Sequence, residues 1–104
     1  MAVRVMVRRR IPKDKLADVL DLTMELRVLA SQEPGYISGE TLISDKNSEE
    51  YLVISTWQML DDWRSWEWSK ERYEVQRKID VLIGEANTTY EVYHYPEKKR
   101  VLVA

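Results

Sequence analysis

The hydrophobic residues of this 104-residue chain change period along its length, and the order of the changes constrains the fold more than any single motif. From Val3 to Ile11, the valines at 3, 5 and 7 alternate with Arg4, Met6 and Arg8, the period of two that gives a strand one apolar face. Pro12 and Lys13 end the strand. From Lys13 to Ser31, Leu16, Val19, Leu20, Leu22, Leu26 and Leu29 recur at helical spacings, with Pro12 suitably positioned just before the start. The helix must stop before Pro34 and Gly35, since a proline forces the residue ahead of it out of helical geometry. Two β-rich runs follow, Tyr36 to Asp45 and Glu50 to Gln58, with Asp45-Lys46-Asn47-Ser48 as a polar hairpin turn. Leu60 to Ile83 returns to helical composition, with a break or bend expected at Trp68-Ser69. Gly84 suits a helix stop, Thr88 to Tyr95 reads as a fourth strand interrupted by Pro96, and Arg100 to Ala104 suits a short fifth strand.

The order βαββαβ is the split βαβ arrangement, so the expected class is α+β and ferredoxin-like: a four-stranded antiparallel sheet with two helices on one face. The length fits one domain over residues 1–104. The second face of the sheet also needs cover. The run from Glu50 carries Leu52 and Ile54 on one side and Tyr51, Val53 and Trp57 on the other, and neither set is polar enough to face water. A homodimer with its sheets face to face satisfies both, because a two-fold axis uses one patch twice. Val101-Leu102-Val103 would then be free to pair with the partner's edge.

Composition removes several chemistries. There is no cysteine, which excludes disulfides, thiolate nucleophiles and cysteine-bound metals, and the single histidine excludes a multi-histidine zinc site. A net charge of −2, with acidic residues spread along the chain, argues against a nucleic-acid partner. Arg8, Arg9 and Arg10 read as solvated charge at a strand end. No stretch approaches the roughly 18 apolar residues of a membrane span, and the first residues lack a signal-like apolar core, so the expected location is cytoplasmic, with no membrane partner.

Four groups of residues carry a family likeness: Pro34-Gly35-Tyr36, then Gly39-Glu40-Thr41-Leu42, then Tyr51-Leu52-Val53-Ile54-Ser55-Thr56-Trp57, and finally Asp62-Trp63 through Trp66 to Ser69. Together they resemble the antibiotic biosynthesis monooxygenase (ABM) family. The resemblance implies a dimeric α/β barrel with a cavity between helix and sheet in each protomer. It also implies a choice among cofactor-free oxygenases of aromatic polyketides, haem-degrading monooxygenases, quinol oxygenases and members without known activity. The haem-degrading branch uses an asparagine on the first strand, a tryptophan on the second long helix and an axial histidine ten residues later. With the tryptophan at Trp66, this chain has Val7 and Gln76 at the other two positions, and a glutamine amide is a poor iron ligand.

Cofactor-free oxygenases make milder demands: a dry, mostly apolar pocket, a hydrogen-bonding group near the substrate oxygen, and a cationic or amide group for the developing negative charge. By the resemblance Trp66 is a pocket wall. Tyr73 and Gln76, further along the same helical segment, could offer a hydroxyl and an amide, and Arg8 and His94 are candidates for anion stabilisation or proton transfer. The expectation is a cofactor-independent monooxygenase acting on a small aromatic or quinone-like compound, with neither cofactor nor metal. One alternative is a non-enzymatic small-molecule-binding or stress-response module whose cavity is filled by its own Trp and Tyr side chains, and another is a rewired haem site. Plainer readings stand beside these: Trp63, Trp66 and Trp68 as packing, Asp61 and Asp62 as favourable charges at a helix start, and the run Lys70, Glu71, Arg72, Glu74, Arg77, Lys78 as a solvated helix face.

Overall fold

The computed structural model describes residues 2–96. Its strands are β1 (Val3–Arg10), β2 (Tyr36–Ile43), β3 (Glu50–Trp57) and β4 (Thr88–His94), and its helices are α1 (Leu16–Ser31), α2 (Leu60–Glu67) and α3 (Lys70–Ile83). Single 3-10 turns at Lys13–Lys15 and Glu85–Asn87 lead into α1 and β4. The strands lie in the order β2-β3-β1-β4, and every neighbouring pair is antiparallel. This is the α+β, ferredoxin-like arrangement that the change of periods predicts. The segment expected as a fifth strand, Arg100 to Ala104, lies outside the described residues.

The second helical stretch is two helices, and the reason is local. Ser69 takes an extended conformation (φ −71°, ψ 149°) and its hydroxyl accepts the Arg72 N–H at 3.2 Å, so it ends one helix and caps the next. At the other breaker, Gly35 has φ +82°, and a Cβ there would lie 2.1 Å from Oδ2 of Asp62, so only glycine lets β2 leave α1 beneath the start of α2. The hairpin between β2 and β3 is closed by the Ser44 N–H donating to the Glu50 carbonyl and the Glu50 N–H to the Asn47 carbonyl.

Register assigns the faces. Val3, Val5, Val7 and Arg9 of β1 stand opposite Trp57, Ser55, Val53 and Tyr51 of β3, and opposite His94, Val92, Tyr90 and Thr88 of β4. This face looks towards the helices. Under it lie two buried clusters. One is aromatic, with Trp57, Trp63 and Trp66 against Val3, Val5, Val7 and Ala30; the other is aliphatic, with Ile11, Val19, Ile79 and Ile83. The opposite face of the sheet carries Met6, Leu52 and Ile54, each half-buried, with Leu42 more exposed, and at its β4 edge Arg8 is ion-paired with Glu91.

That register corrects the reading of the three adjacent arginines as solvated edge charge. Arg8 and Arg10 point away from the helices, but Arg9 shares the parity of the valines and is only 4% exposed.

Candidate active site

Between the helix-facing side of the sheet and the helices is a cavity of about 60 Å³. The sheet contributes Val7, Arg9, Gly39, Val53, Ser55, Trp57 and Tyr90; α1 contributes Thr23, Leu26, Arg27 and Ala30; Trp63, Trp66 and Arg72 come from α2 and α3. Tyr36, at the start of β2, completes the lining. The void arises because large planar rings meet edge-on and cannot tile space as branched aliphatic chains do. Tyr36 and Trp57 have centroids 5.3 Å apart at 88°, Trp57 and Trp63 6.0 Å at 61°, and Trp63 and Tyr90 6.5 Å at 41°. One aromatic wall therefore runs from Tyr36 to Tyr90.

An arginine stands at each end of that wall. At the Tyr36 end, Arg27 donates to the Thr41 hydroxyl, and the Tyr36 hydroxyl and Arg27 Nε lie over Gly39, where a Cβ would be 2.5 and 3.3 Å from them. At the Tyr90 end, Arg72 donates to the Tyr90 hydroxyl, with its guanidinium carbon 5.0 Å from the ring centroid, and also to the Glu67 carbonyl at 3.1 Å. Burial holds the Tyr90 phenol above its usual pKa, with Arg72 and Arg9 opposing the shift, so it is a neutral hydroxyl at physiological pH.

Arg9 lies beneath the Tyr90 end. One of its terminal nitrogens donates to Gln76 Oε1 at 2.6 Å, and Gln76 Nε2 donates onward to Asp80 at 2.9 Å. The amide orientation follows from this chain, because its oxygen must face the guanidinium and its NH2 the carboxylate. Burial brings the Arg9 pKa down to about 10, with Arg72 pushing the same way and Tyr90 and Asp80 opposing. It remains a cation at neutral pH. Its Nε, and the Nε1 of Trp63, are buried without a hydrogen-bond partner among the described residues. Two donors bordering one cavity thus lack acceptors, and such groups are costly unless something accepts from them.

The residues singled out from the sequence are dispersed by the fold. Trp66 lines the cavity and is 5% exposed. Gln76 is buried and reaches the site through Arg9. Tyr73 is 63% exposed on the outer side of α3, beside Glu74, Arg77 and Lys78. His94 sits in a surface groove with Val3, Met59, Leu60 and Asp61, and Arg8 belongs to the opposite face of the sheet. Of the neighbouring tryptophans, Trp63 is buried and Trp68 is exposed.

The cationic residues that do border the cavity, Arg9, Arg27 and Arg72, carried no functional weight in the sequence reading. A signal existed for two of them. Arg9 has the parity of Val3, Val5 and Val7, and Arg72 opens the stripe continued by the buried Val75, Gln76, Ile79 and Ile83 at helical spacing. Reading Arg72 with the solvated charges of α3 is therefore also corrected.

The model of the antibiotic biosynthesis monooxygenase family matches residues 2–78. Protein SchA of Streptomyces halstedii is 26% identical over 99 residues, which are 94% of this chain, and the chain spans only 26% of the length of that relative. A conserved protein of Methanosarcina mazei superposes with a TM-score of 0.83 at 17% identity, covering 92% of this chain and 94% of its own. SnoaB of Streptomyces nogalater, a cofactor-independent oxygenase, superposes with a TM-score of 0.80 at 12% identity, covering 93% and 95%.

Proposed function

The chain belongs to the antibiotic biosynthesis monooxygenase family, and from that premise we propose that it is a cofactor-independent monooxygenase acting on a small aromatic or quinone-like compound. The observation that carries this reading is the cavity itself: aromatic and aliphatic walls around a buried guanidinium, Arg9, with hydrogen-bond donors left free. Chemistry of this kind asks the protein only to hold an electron-rich ring, exclude water and stabilise negative charge.

For an activated ring CH2, loss of one proton gives a carbanion delocalised onto the ring oxygen. Electron transfer to O2 and recombination form a C–O bond and a peroxide anion, which takes up a proton. Loss of the remaining C–H proton with cleavage of the O–O bond leaves C=O and hydroxide, which is protonated to water. One oxygen atom stays in the product, the other becomes water, and all the electrons O2 accepts come from the substrate. Arg9 would stabilise the oxygen anion of the first step, Trp66 would hold the ring, and Gln76 would position Arg9.

The haem-degrading reading finds no support at the two positions in question, since Val7 is an aliphatic part of the wall and Gln76 is engaged by Arg9 and Asp80. One observation favours the non-enzymatic module instead: about 60 Å³ holds roughly two waters, well below the ~300 Å³ at which small-molecule sites begin. Oxygen uptake with anthrones and quinols separates the two readings. Uptake that disappears in Trp66→Ala and weakens in the milder Trp66→Phe, with both variants folded by circular dichroism, is the expected result; no uptake with any of these compounds would leave the module.

The apolar residues Met6, Leu42, Leu52 and Ile54 on the open sheet face support a homodimer through that face. Sedimentation should give the mass of two chains, and Ile54→Glu should halve it. A monomer mass for the parent protein would end the proposal.

A further inference from the structure

Charge on this protein is distributed unevenly in a way that bears on the ligand. Outside the cavity, Arg8, Arg10 and Arg64 are paired with Glu91, Glu49 and Glu67, while Arg4 and the exposed Arg77 make no salt bridge among the described residues. Arg9, Arg27 and Arg72, which border it, make no salt bridge among the described residues, and the lining contains no carboxylate. Asp80 is the acidic group facing Arg9, and it does so at one remove, through the Gln76 amide. Solvated arginines gain little from pairing, whereas a buried, unpaired guanidinium is expensive. Arg9, at 4% exposure, is thus left unpaired where lack of a partner costs most.

Two of the three act together. Arg9 and Arg72 both line the cavity, Arg72 holds the Tyr90 hydroxyl, and the charge of Arg72 disfavours that of Arg9. With the free Nε of Arg9 and the free Nε1 of Trp63, this end of the cavity offers hydrogen-bond donors and positive charge beside an aromatic wall.

We infer that the cavity takes an aromatic carboxylate, its ring along the wall from Trp57 to Tyr90 and its anionic group accepting hydrogen bonds from Arg9 and Arg72. The guanidinium fork matches a planar carboxylate, and a bound anion gives the orphaned donors their acceptor while relieving the repulsion between the two cations. This names the substrate class of the site proposed above and rests on that reading for turnover, though not for binding.

Size sets one condition. A benzene ring needs a cavity of roughly 150 Å³, more than the 60 Å³ present, so a ligand must displace side chains at the rim. Arg27, Arg72 and Tyr36 are half-buried and Tyr90 is 37% exposed, whereas Trp57, Trp63 and Trp66 are buried. The rim therefore yields and the tryptophan wall stays.

The test is a calorimetric titration near neutral pH with 2-naphthoate and 2-naphthamide, which share a shape and differ in charge. The naphthoate should bind about tenfold tighter or better, the scale of one charge-assisted contact. Arg72→Gln, at a half-buried position, and Arg9→Gln should each erase most of that preference while leaving the amide's affinity nearly unchanged, and Arg8→Gln on the opposite face should alter neither. Equal affinity for the two compounds, a preference that survives both cavity substitutions, or no binding of either compound would overturn the inference. Tight naphthoate binding in a protein that consumes no oxygen with anthrones, quinols or hydroxylated naphthoates would keep the anion site and remove the oxygenase.

Discussion

The two buried clusters lie under the same sheet, and they are built on opposite principles. Around Ile79, branched aliphatic chains from the end of β1, from α1 and from α3 meet with Ile11, Val19 and Ile79 at 2% exposure or less. Around Trp63 and Trp66 the rings are equally well excluded from water, yet they leave a void, and a guanidinium lies beside it. Aliphatic side chains can reach crystal-like density because their shapes interdigitate, and the four residues at the centre of this cluster have no side-chain polar group. Planar rings with N–H edges pack at angles, leave gaps and bring unsatisfied donors with them. The first cluster can be explained by stability alone. The second carries costs that stability does not explain, which is why the proposed function is placed there.

The sharpest break of this comparison is in the aliphatic cluster. Ile79→Ala should cost about 2–5 kcal/mol, because the fully buried side chain leaves a cavity its neighbours cannot fill, while affinity for an aromatic carboxylate stays close to that of the parent protein. Chemical denaturation and calorimetry on the same sample check both halves. A large loss of affinity at little cost in stability would mean that the two clusters do not divide the roles as argued.

A smaller effect, of opposite kind, is expected at the functional end. Arg9→Met should change stability by no more than about 1 kcal/mol, since relief of a buried charge is offset by the Gln76 carbonyl oxygen left without its donor, yet carboxylate binding should be lost. The pH dependence sharpens the point. Burial disfavours the charged form of Arg9, so its pKa in the folded protein, about 10, lies below its ordinary value. The destabilisation is complete below pH 10 and is relieved as pH rises from there towards the ordinary guanidinium range. Relative to Arg9→Met, the parent protein should therefore gain stability through that window. Arg72, Tyr90, Gln76 and Asp80 face the guanidinium in the parent protein, and Tyr90, whose ionisation Arg9 favours, is removed from the comparison by measuring both proteins in a Tyr90→Phe background. Parallel curves would show that its charge is not penalised by burial.

Most of the architecture was legible from hydrophobic period. The valine alternation of β1, the helical run from Lys13, the Pro34-Gly35 stop, the hairpin and the break at Trp68-Ser69 all correspond to elements or boundaries of the structure, with ends displaced by up to three residues, the largest shift being the 3-10 turn Lys13–Lys15 ahead of α1. The candidate site was less legible. Trp66 was recognised by family likeness, and Gln76 was named for a direct role although it reaches the cavity through Arg9. Tyr73 and His94 were chosen for the chemistry of their side chains, and chemistry alone carries no information about direction. For Arg9 the information was present in the period that identified the strand, but three adjacent arginines looked like one solvated unit, when successive residues of a strand point to opposite faces.

By itself, the sequence determined the order and type of the elements, because period and breakers are local properties of the chain and each element must bury the face its period creates. The pairing of β1 with both β3 and β4 joins residues distant in sequence, and only that register brought Arg9, Arg72 and Tyr90 together at one end of an aromatic wall. Whether a cation is solvated or buried, paired or left for a ligand, depends on neighbours that no local pattern specifies. That was decided by the tertiary structure.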